Sequence, residues 1–225
     1  MCFSAPASFI VASGLSVAGA FSLKEASKKL IIPFALIPLF FALQQACEGL
    51  VWLYIDNKNI LYYLGVYGFI FFASMFWPIW IPLSLLIAES KPLRKKLLGC
   101  ALLVGLVVAG IYGISWIFHA PEAQIINHHM GYPYLNAPLL DINNSFEFIP
   151  KSLGFLYLIA TVSPLFISSI RNTYQAGIVL VILCVIARVF YAEVFGSLWC
   201  FFAAVSSCLV IIIIHAYKKS HTAVK

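Results

Sequence analysis

The chain has 225 residues, of which 63% are hydrophobic and 10% charged, with a formal net charge of +6. A soluble domain keeps about a quarter of its residues charged, and a mean hydropathy of +0.99 excludes one here. At about 20 apolar residues per bilayer crossing, this length holds about seven spans and no separate extramembrane catalytic module.

The opening MCFSAPASFIVASG lacks the positive region of a secretory signal and reads as the start of a retained first helix. That helix is predicted from Ala5 to Leu23. The second runs from Leu30 to Ile55, the third from Ile60 to Ala88 and the fourth from Leu97 to Phe118. A long connection, 119–149, follows. Its Tyr, Leu, Ile and Phe content predicts a packed cap rather than a solvated linker. Helix 5 is predicted from Pro150 to Ile170, helix 6 from Gln175 to Phe195 and helix 7 from Ser197 to Tyr217. The fold class is therefore all-α, one transmembrane domain over residues 1–225. Pro33, Pro38, Pro78, Pro82 and Pro164 are the expected kink points.

Charge orients the bundle. Lys24, Lys28 and Lys29 fall in the first connection, Lys91, Arg94, Lys95 and Lys96 in the third, and Arg171 in the fifth. Lys218, Lys219 and Lys225 end the chain. The alternate connections carry only Lys58 and Lys151, and the long one holds Glu122, Asp141 and Glu147. By the positive-inside rule the N-terminus and the long connection are outside and the C-terminus is cytoplasmic. The basic residues lie at helix ends, where they meet anionic headgroups of the lipid bilayer. No basic face carries interleaved aromatics, so nucleic acid is not a partner.

Charges within a span cost about 2.5–3.5 kcal/mol each on insertion scales. Glu48, in FALQQACEGLVWLYI, is the clearest case. Gln44, Glu48, Trp52 and Ile55 share a helix face, with Gln45 beside it. A carboxylate there holds a cation or proton, an amide orients a ligand, and an indole walls a pocket. Arg188, in CVIARVFYAEVF, is the second case, sharing a face with Cys184, Tyr191 and Phe195. Glu48 and Arg188 each stand seven residues before the predicted outer end of their helix, about 10 Å deep. Equal depth permits an ion pair, which serves either to fix helix packing or to bind a small polar molecule or ion. Arg188 snorkelling alone to the interface is the remaining reading.

His119, His128 and His129 lie on or beside the outer connection, and Cys2 is near the start. They are weak metal candidates: no H-x-x-x-H, H-E-x-x-H or C-x-x-C pattern accompanies them. An exposed amino-terminal thiol at Cys2 would be a nucleophile or a ligand. Cys47, Cys100, Cys184, Cys200 and Cys208 lie within spans and read as small apolar residues. Asn143-Asn144-Ser145 matches a glycosylation acceptor. Small residues concentrate in helix 1 (Ser13, Gly14, Ser16, Ala18, Gly19) and helix 4 (Gly99, Gly105, Ala109, Gly110, Gly113), where close helix approach is expected.

The opening MCFSA-x-ASF, the segment QQ-x-x-EG-x-x-W from Gln44 to Trp52, and SLWCFFAA from Ser197 to Ala204 resemble an uncharacterised family of prokaryotic multi-pass membrane proteins. The resemblance covers most of the chain and places Cys2, Gln44, Gln45, Glu48, Trp52 and Cys200 within motifs. It implies a prokaryotic cytoplasmic membrane and supplies no catalytic residue or cofactor. Seven-helix zinc hydrolases of the ceramidase type are a poor fit, since His215 alone lies on a late helix, at the wrong end. The expected function is binding or translocation of a small polar molecule or ion in an outward-facing pocket. Glu48, Arg188, Gln44, Gln45, Trp52 and Tyr191 would form that pocket, with the long connection as a lid. The alternatives are a membrane enzyme using Glu48 with Cys2 or the outer histidines, and a sensor or partner-binding scaffold.

Overall fold

The computed structural model describes residues 4–26, 28–136 and 148–222. Cys2, Asp141, the Asn143-Asn144-Ser145 pattern, Glu147 and Lys225 lie outside the described residues. Helix α1 (Ala5–Glu25) starts at Ser4, whose hydroxyl accepts the Ala7 amide at 3.4 Å, with Pro6 in the first turn. Both features suit a helix start, where amides lack intrahelical partners.

The next two spans are interrupted helices, and proline accounts for the interruptions. Span 2 is a 3₁₀ turn (Lys29–Ile31), α2 (Ile32–Ala35) and α3 (Ile37–Tyr54), with Pro33 and Pro38 each in the first turn of its helix. Span 3 is α4 (Ile60–Ile70), a π turn (Phe71–Phe76) and α5 (Trp77–Ala88), with Pro78 and Pro82 in α5. A proline has no amide for the carbonyl four residues back, so the ladder widens before Pro78. Ser74 takes up part of the slack, donating its hydroxyl to the Ile70 carbonyl at 2.7 Å.

Span 4 is α6 (Pro92–Phe118). The connection after it folds as a hairpin of β1 (Gln124–Ile126) and β2 (His129–Gly131), then a short α7 (Pro133–Asn136). Asn127 and His128 form the turn with φ of 48° and 63°, both left-handed, as a two-residue type I′ hairpin requires. Span 5 is α8 (Phe148–Ile167), with Pro164 inside it, and span 6 is α9 (Thr173–Phe190). Span 7 opens with a 3₁₀ turn (Ala192–Val194) and continues as α10 (Phe195–Ser206) and α11 (Leu209–Thr222). Among the described residues six of these seven segments are long and apolar enough to cross a membrane; Ser152–Ile167 of α8 is a shorter apolar helix.

Several boundaries differ from expectation: helix 4 begins at Pro92 rather than Leu97, so Arg94, Lys95 and Lys96 lie in its first turns. Helix 6 ends at Phe190, not Phe195, because Tyr191 leaves the helical region (φ −140°, ψ 42°). Helix 7 is not continuous from Ser197 to Tyr217. It breaks at Ser207, whose amide is shared between Ala203 O (2.9 Å) and Ala204 O (3.1 Å). The Ser207 hydroxyl donates to Ala204 O at 2.6 Å, a local bond that competes with the helical ladder.

The bundle has two chemically distinct ends. At the cap end, the hairpin is pinned to α4 and to the 6–7 junction. The Tyr62 hydroxyl accepts the Ala123 amide at 3.1 Å and donates to its carbonyl at 3.3 Å. Asn127 Nδ2 donates to Glu193 at 3.0 Å, and the Tyr132 ring stacks on Phe69 at 4.4 Å. Ala123, Met130 and Tyr132 are buried and anchor the described part of this connection to the bundle. Tyr62→Phe removes both bonds to Ala123 and is expected to speed hydrogen exchange at that amide by about fivefold, roughly 1 kcal/mol of local opening. Lys58→Ala removes an exposed pair with Glu122 (3.4 Å) and a contact of the exposed ammonium with the Tyr62 ring (5.6 Å), and is expected to leave the melting temperature nearly unchanged.

At the opposite, basic end, buried Glu89 ties the 3–4 and 5–6 connections together. Its carboxylate accepts from Ser169 N (2.7 Å), Ser169 Oγ (2.5 Å), Ser90 N (2.9 Å) and Lys91 N (3.0 Å). Arg94 adds a bond to the Ser168 carbonyl at 2.7 Å. Lys218 and His215 meet Glu25 at 3.1 and 3.5 Å, joining the end of α1 to α11.

Candidate functional site

α3 packs along α1 on one side and against α4 on the other, and α10 meets it near Glu48. This encloses the polar stretch of α3 completely: Gln44, Gln45 and Glu48 are each 0% exposed. The carboxylate of Glu48 accepts the Ser197 hydroxyl at 2.5 Å and the Gln45 side-chain amide at 3.3 Å. The Gln45 bond is an i, i+3 contact along one helix; the Ser197 bond joins α3 to the first turn of α10 across 149 residues.

One turn deeper, Gln44 Oε1 accepts the Trp77 indole N–H at 2.6 Å. Trp77 stacks on Phe41 at 3.8 Å and 20°. It is the first residue of α5, directly after the π turn. A widened turn re-aims the residues that follow it, and here the indole reaches α3. The buried Cys200 thiol sits beside Gln44 and near Glu48. Gln44 Nε2 and Gln45 Oε1 are buried with no hydrogen-bond partner among the described residues. A donor and an acceptor in this condition match a small polar molecule that offers both in return.

The remaining predicted site residues lie apart. Arg188 is exposed, in the last turn of α9, with its guanidinium 5.9 Å from the Phe195 ring centre. No ion pair joins it to Glu48. The equal-depth estimate fails because α9 stops at Phe190: Arg188 lies about 3 Å from its helix end and Glu48 about 9 Å from Tyr54. At that terminus the guanidinium complements the carboxyl end of the helix dipole. Tyr191 is exposed too, with its ring 5.6 Å from that of His129. Trp52 is half-buried at the cap end of α3, and its indole N–H has no partner among the described residues.

The outer histidines sit on the cap: His119 directly after α6, His128 in the hairpin turn and His129 on β2. Burial, with His128 next to it, holds His129 below the ordinary imidazole range. Among the described residues no three His, Cys, Asp or Glu side chains gather as a metal site.

Ser197, Cys200 and Trp77 complete the cluster, yet sequence reasoning does not select them as site residues. Ser197 and Cys200 do lie within the helix 7 segment SLWCFFAA, and the three quoted segments meet in space. Ser197 bonds Glu48, Cys200 borders Gln44, and the Phe9 ring fills the space left by Gly49, where a Cβ would stand 2.7 Å from it. A family model matches residues 1–225, the whole chain. The chain belongs to the family of unknown function DUF6629. Comparison of this DUF6629 chain with curated proteins and with solved structures finds no match.

Proposed function

We propose that this multi-pass membrane protein binds a small polar, cationic molecule or ion at Glu48. The observation that carries the reading is the fully buried Glu48–Gln45–Ser197 cluster within a span, next to an unpartnered donor on Gln44 and acceptor on Gln45. A carboxylate at such depth costs several kcal/mol unless it is compensated, which makes it a functional hypothesis by default. A cation compensates the carboxylate and donates to the Gln45 carbonyl.

The cap closes over this end of the bundle. The positive-inside distribution supports a cap, and so an approach to Glu48, on the outside, and the family resemblance supports a prokaryotic cytoplasmic membrane. Arg188 and Tyr191 then stand at the rim, under the hairpin that would act as the lid. Beneath the cluster, the Trp77–Gln44 bond and the Phe41–Trp77 stack support binding over free translocation.

The test is thermal melting in phosphatidylcholine nanodiscs with sodium, potassium, ammonium or methylammonium, each against a choline reference. At least one cation is expected to stabilise the wild type in a saturable way. Glu48→Gln is expected to abolish that shift and Ser197→Ala to weaken it about tenfold, the 1.4 kcal/mol of one charge-assisted bond. Arg188→Gln is expected to retain it. Equal melting in all four cations for both wild type and Glu48→Gln would remove the reading.

A further inference from the structure

Ser8 on α1 carries a hydroxyl that is buried, at 1% exposure, and has no hydrogen-bond partner among the described residues. A helical serine commonly donates to the carbonyl one turn back. Ser13 and Ser16, exposed on the same helix, do so at 2.8 Å to Phe9 O and Ala12 O. Ser8 does not, although its hydroxyl is shut off from water. A buried hydroxyl in that state costs free energy unless another group meets it.

Contacts on either side of Ser8 place it. Phe9, the next residue, fills the space left by Gly49, which follows Glu48 on α3. Val11, one turn on, packs with Leu198 and Phe201 of α10. Both α1 and α10 run from the cap end toward the basic end. One turn nearer the cap, Ser8 therefore comes level with Ser197, four residues before Phe201. That is the seam of α1, α3 and α10, where Ser197 bonds Glu48. Gln45 Oε1, the other unpartnered oxygen, belongs to the same stretch of α3, one turn from Gly49.

The seam thus gathers a carboxylate, an amide carbonyl and two hydroxyls, oxygens from three helices. Ser197 gives its hydrogen to Glu48 and keeps its lone pairs, and Ser8 has lone pairs to offer as well. Sets of oxygen alone suit hard cations. One carboxylate balances one charge, and polar groups from three sides leave no apolar wall for a carbon substituent. Resting on the reading of Glu48 as a cation site, we propose that Ser8 is a further ligand of that site. Its occupant is then an unsubstituted monovalent cation, an alkali ion or ammonium, held by oxygens of Glu48, Gln45, Ser197 and Ser8.

The experiment is a set of melting titrations of the whole protein in phosphatidylcholine nanodiscs with sodium, potassium, ammonium or methylammonium, choline making up the ionic strength. In choline alone, Ser8→Ala removes a buried hydroxyl that has no partner, so the variant is expected to melt at or above the wild-type temperature. In the stabilising cation it is expected to need about tenfold more ion for half of the maximal shift, the loss of one charge-assisted contact. Ser13→Ala, on the exposed side of α1, is expected to change neither reading. Methylammonium is expected to give no saturable shift. A Ser8→Ala variant that melts below the wild type in choline, or that keeps the wild-type midpoint, would overturn the inference, as would saturable stabilisation by methylammonium. Each of these leaves the Glu48 reading standing if Glu48→Gln still abolishes the shift; a shift that survives Glu48→Gln, or a wild type that no cation stabilises, removes both.

Discussion

Gly105→Ala is expected to destabilise the protein strongly, whereas Gly110→Ala, five residues along the same helix, is not. A Cβ on Gly105 would stand 1.8 Å from the Pro78 carbonyl oxygen of α5 and 2.6 Å from its carbon. Both are backbone atoms, so no rotamer change relieves the overlap. The crowding has a chemical origin. Pro82 has no amide, so the Pro78 carbonyl four residues before it lacks its helical partner. The oxygen turns to Gly105 of α6, where no side chain intervenes and a Cα hydrogen is the available weak donor.

Two effects compete at both glycines. Alanine favours a helix over glycine by about 1 kcal/mol. Overpacking a tight contact costs about 1–3 kcal/mol and occasionally more, and a backbone clash falls at the upper end. The clash wins at Gly105. At Gly110 there is nothing within 4 Å of the new methyl, so propensity wins. Melting of the two variants in nanodiscs checks this. Equal stability would mean that α5 and α6 do not cross at Pro78.

Glu89→Ala is expected to cost about 2–3 kcal/mol, because buried bonds to a charged acceptor contribute about 1.5–3 kcal/mol. It also unties two connections at once. Burial alone would raise the pKa of Glu89, but the bonds from Ser169, Lys91 and Ser90 outweigh burial and hold it below the ordinary glutamate value. The carboxylate therefore stabilises the fold at neutral pH, with the full contribution present above the unfolded value of about 4.3. That contribution is lost as pH falls below this value and through the depressed folded value. Wild-type melting temperature should be level from neutral pH to about 5 and fall below it. Glu89→Gln should start lower and show a shallower acid decline. A parallel decline in both proteins would show that other carboxylates, such as Glu25 bonded to Lys218, govern acid stability.

Glu89 shows why some of this molecule was illegible in one dimension. It stands just beyond an apolar stretch, as an interfacial carboxylate would, and nothing in the local sequence announces Ser169 eighty residues later. Arg188 shows the converse. Its sequence context read as mid-helix because FYAEVF continues an apolar pattern, but Tyr191 ends the helix. A turn costs one residue and leaves no periodicity signal, so depth estimates made from the pattern shift by several residues. Glu48 itself was legible because a carboxylate within an apolar run is expensive wherever the helix packs. Its partners were not, since Ser197 and Cys200 are ordinary residues until α10 is placed beside α3.

The sequence by itself determined the number of apolar segments, the segregation of basic residues to alternate connections, the proline interruptions and the polar stretch Gln44–Glu48. Each follows from a local rule: the length that crosses a bilayer, the cost of a charge in hydrocarbon, the missing amide of proline. Tertiary structure alone decided which residues surround Glu48 and that Arg188 does not pair with it. It also decided that Gly105 bears a contact which Gly110 does not, and that Ser8 falls in the seam where Ser197 bonds Glu48. These depend on rotations and breaks of whole helices, and a shift of one residue turns a side chain by about 100° around its axis.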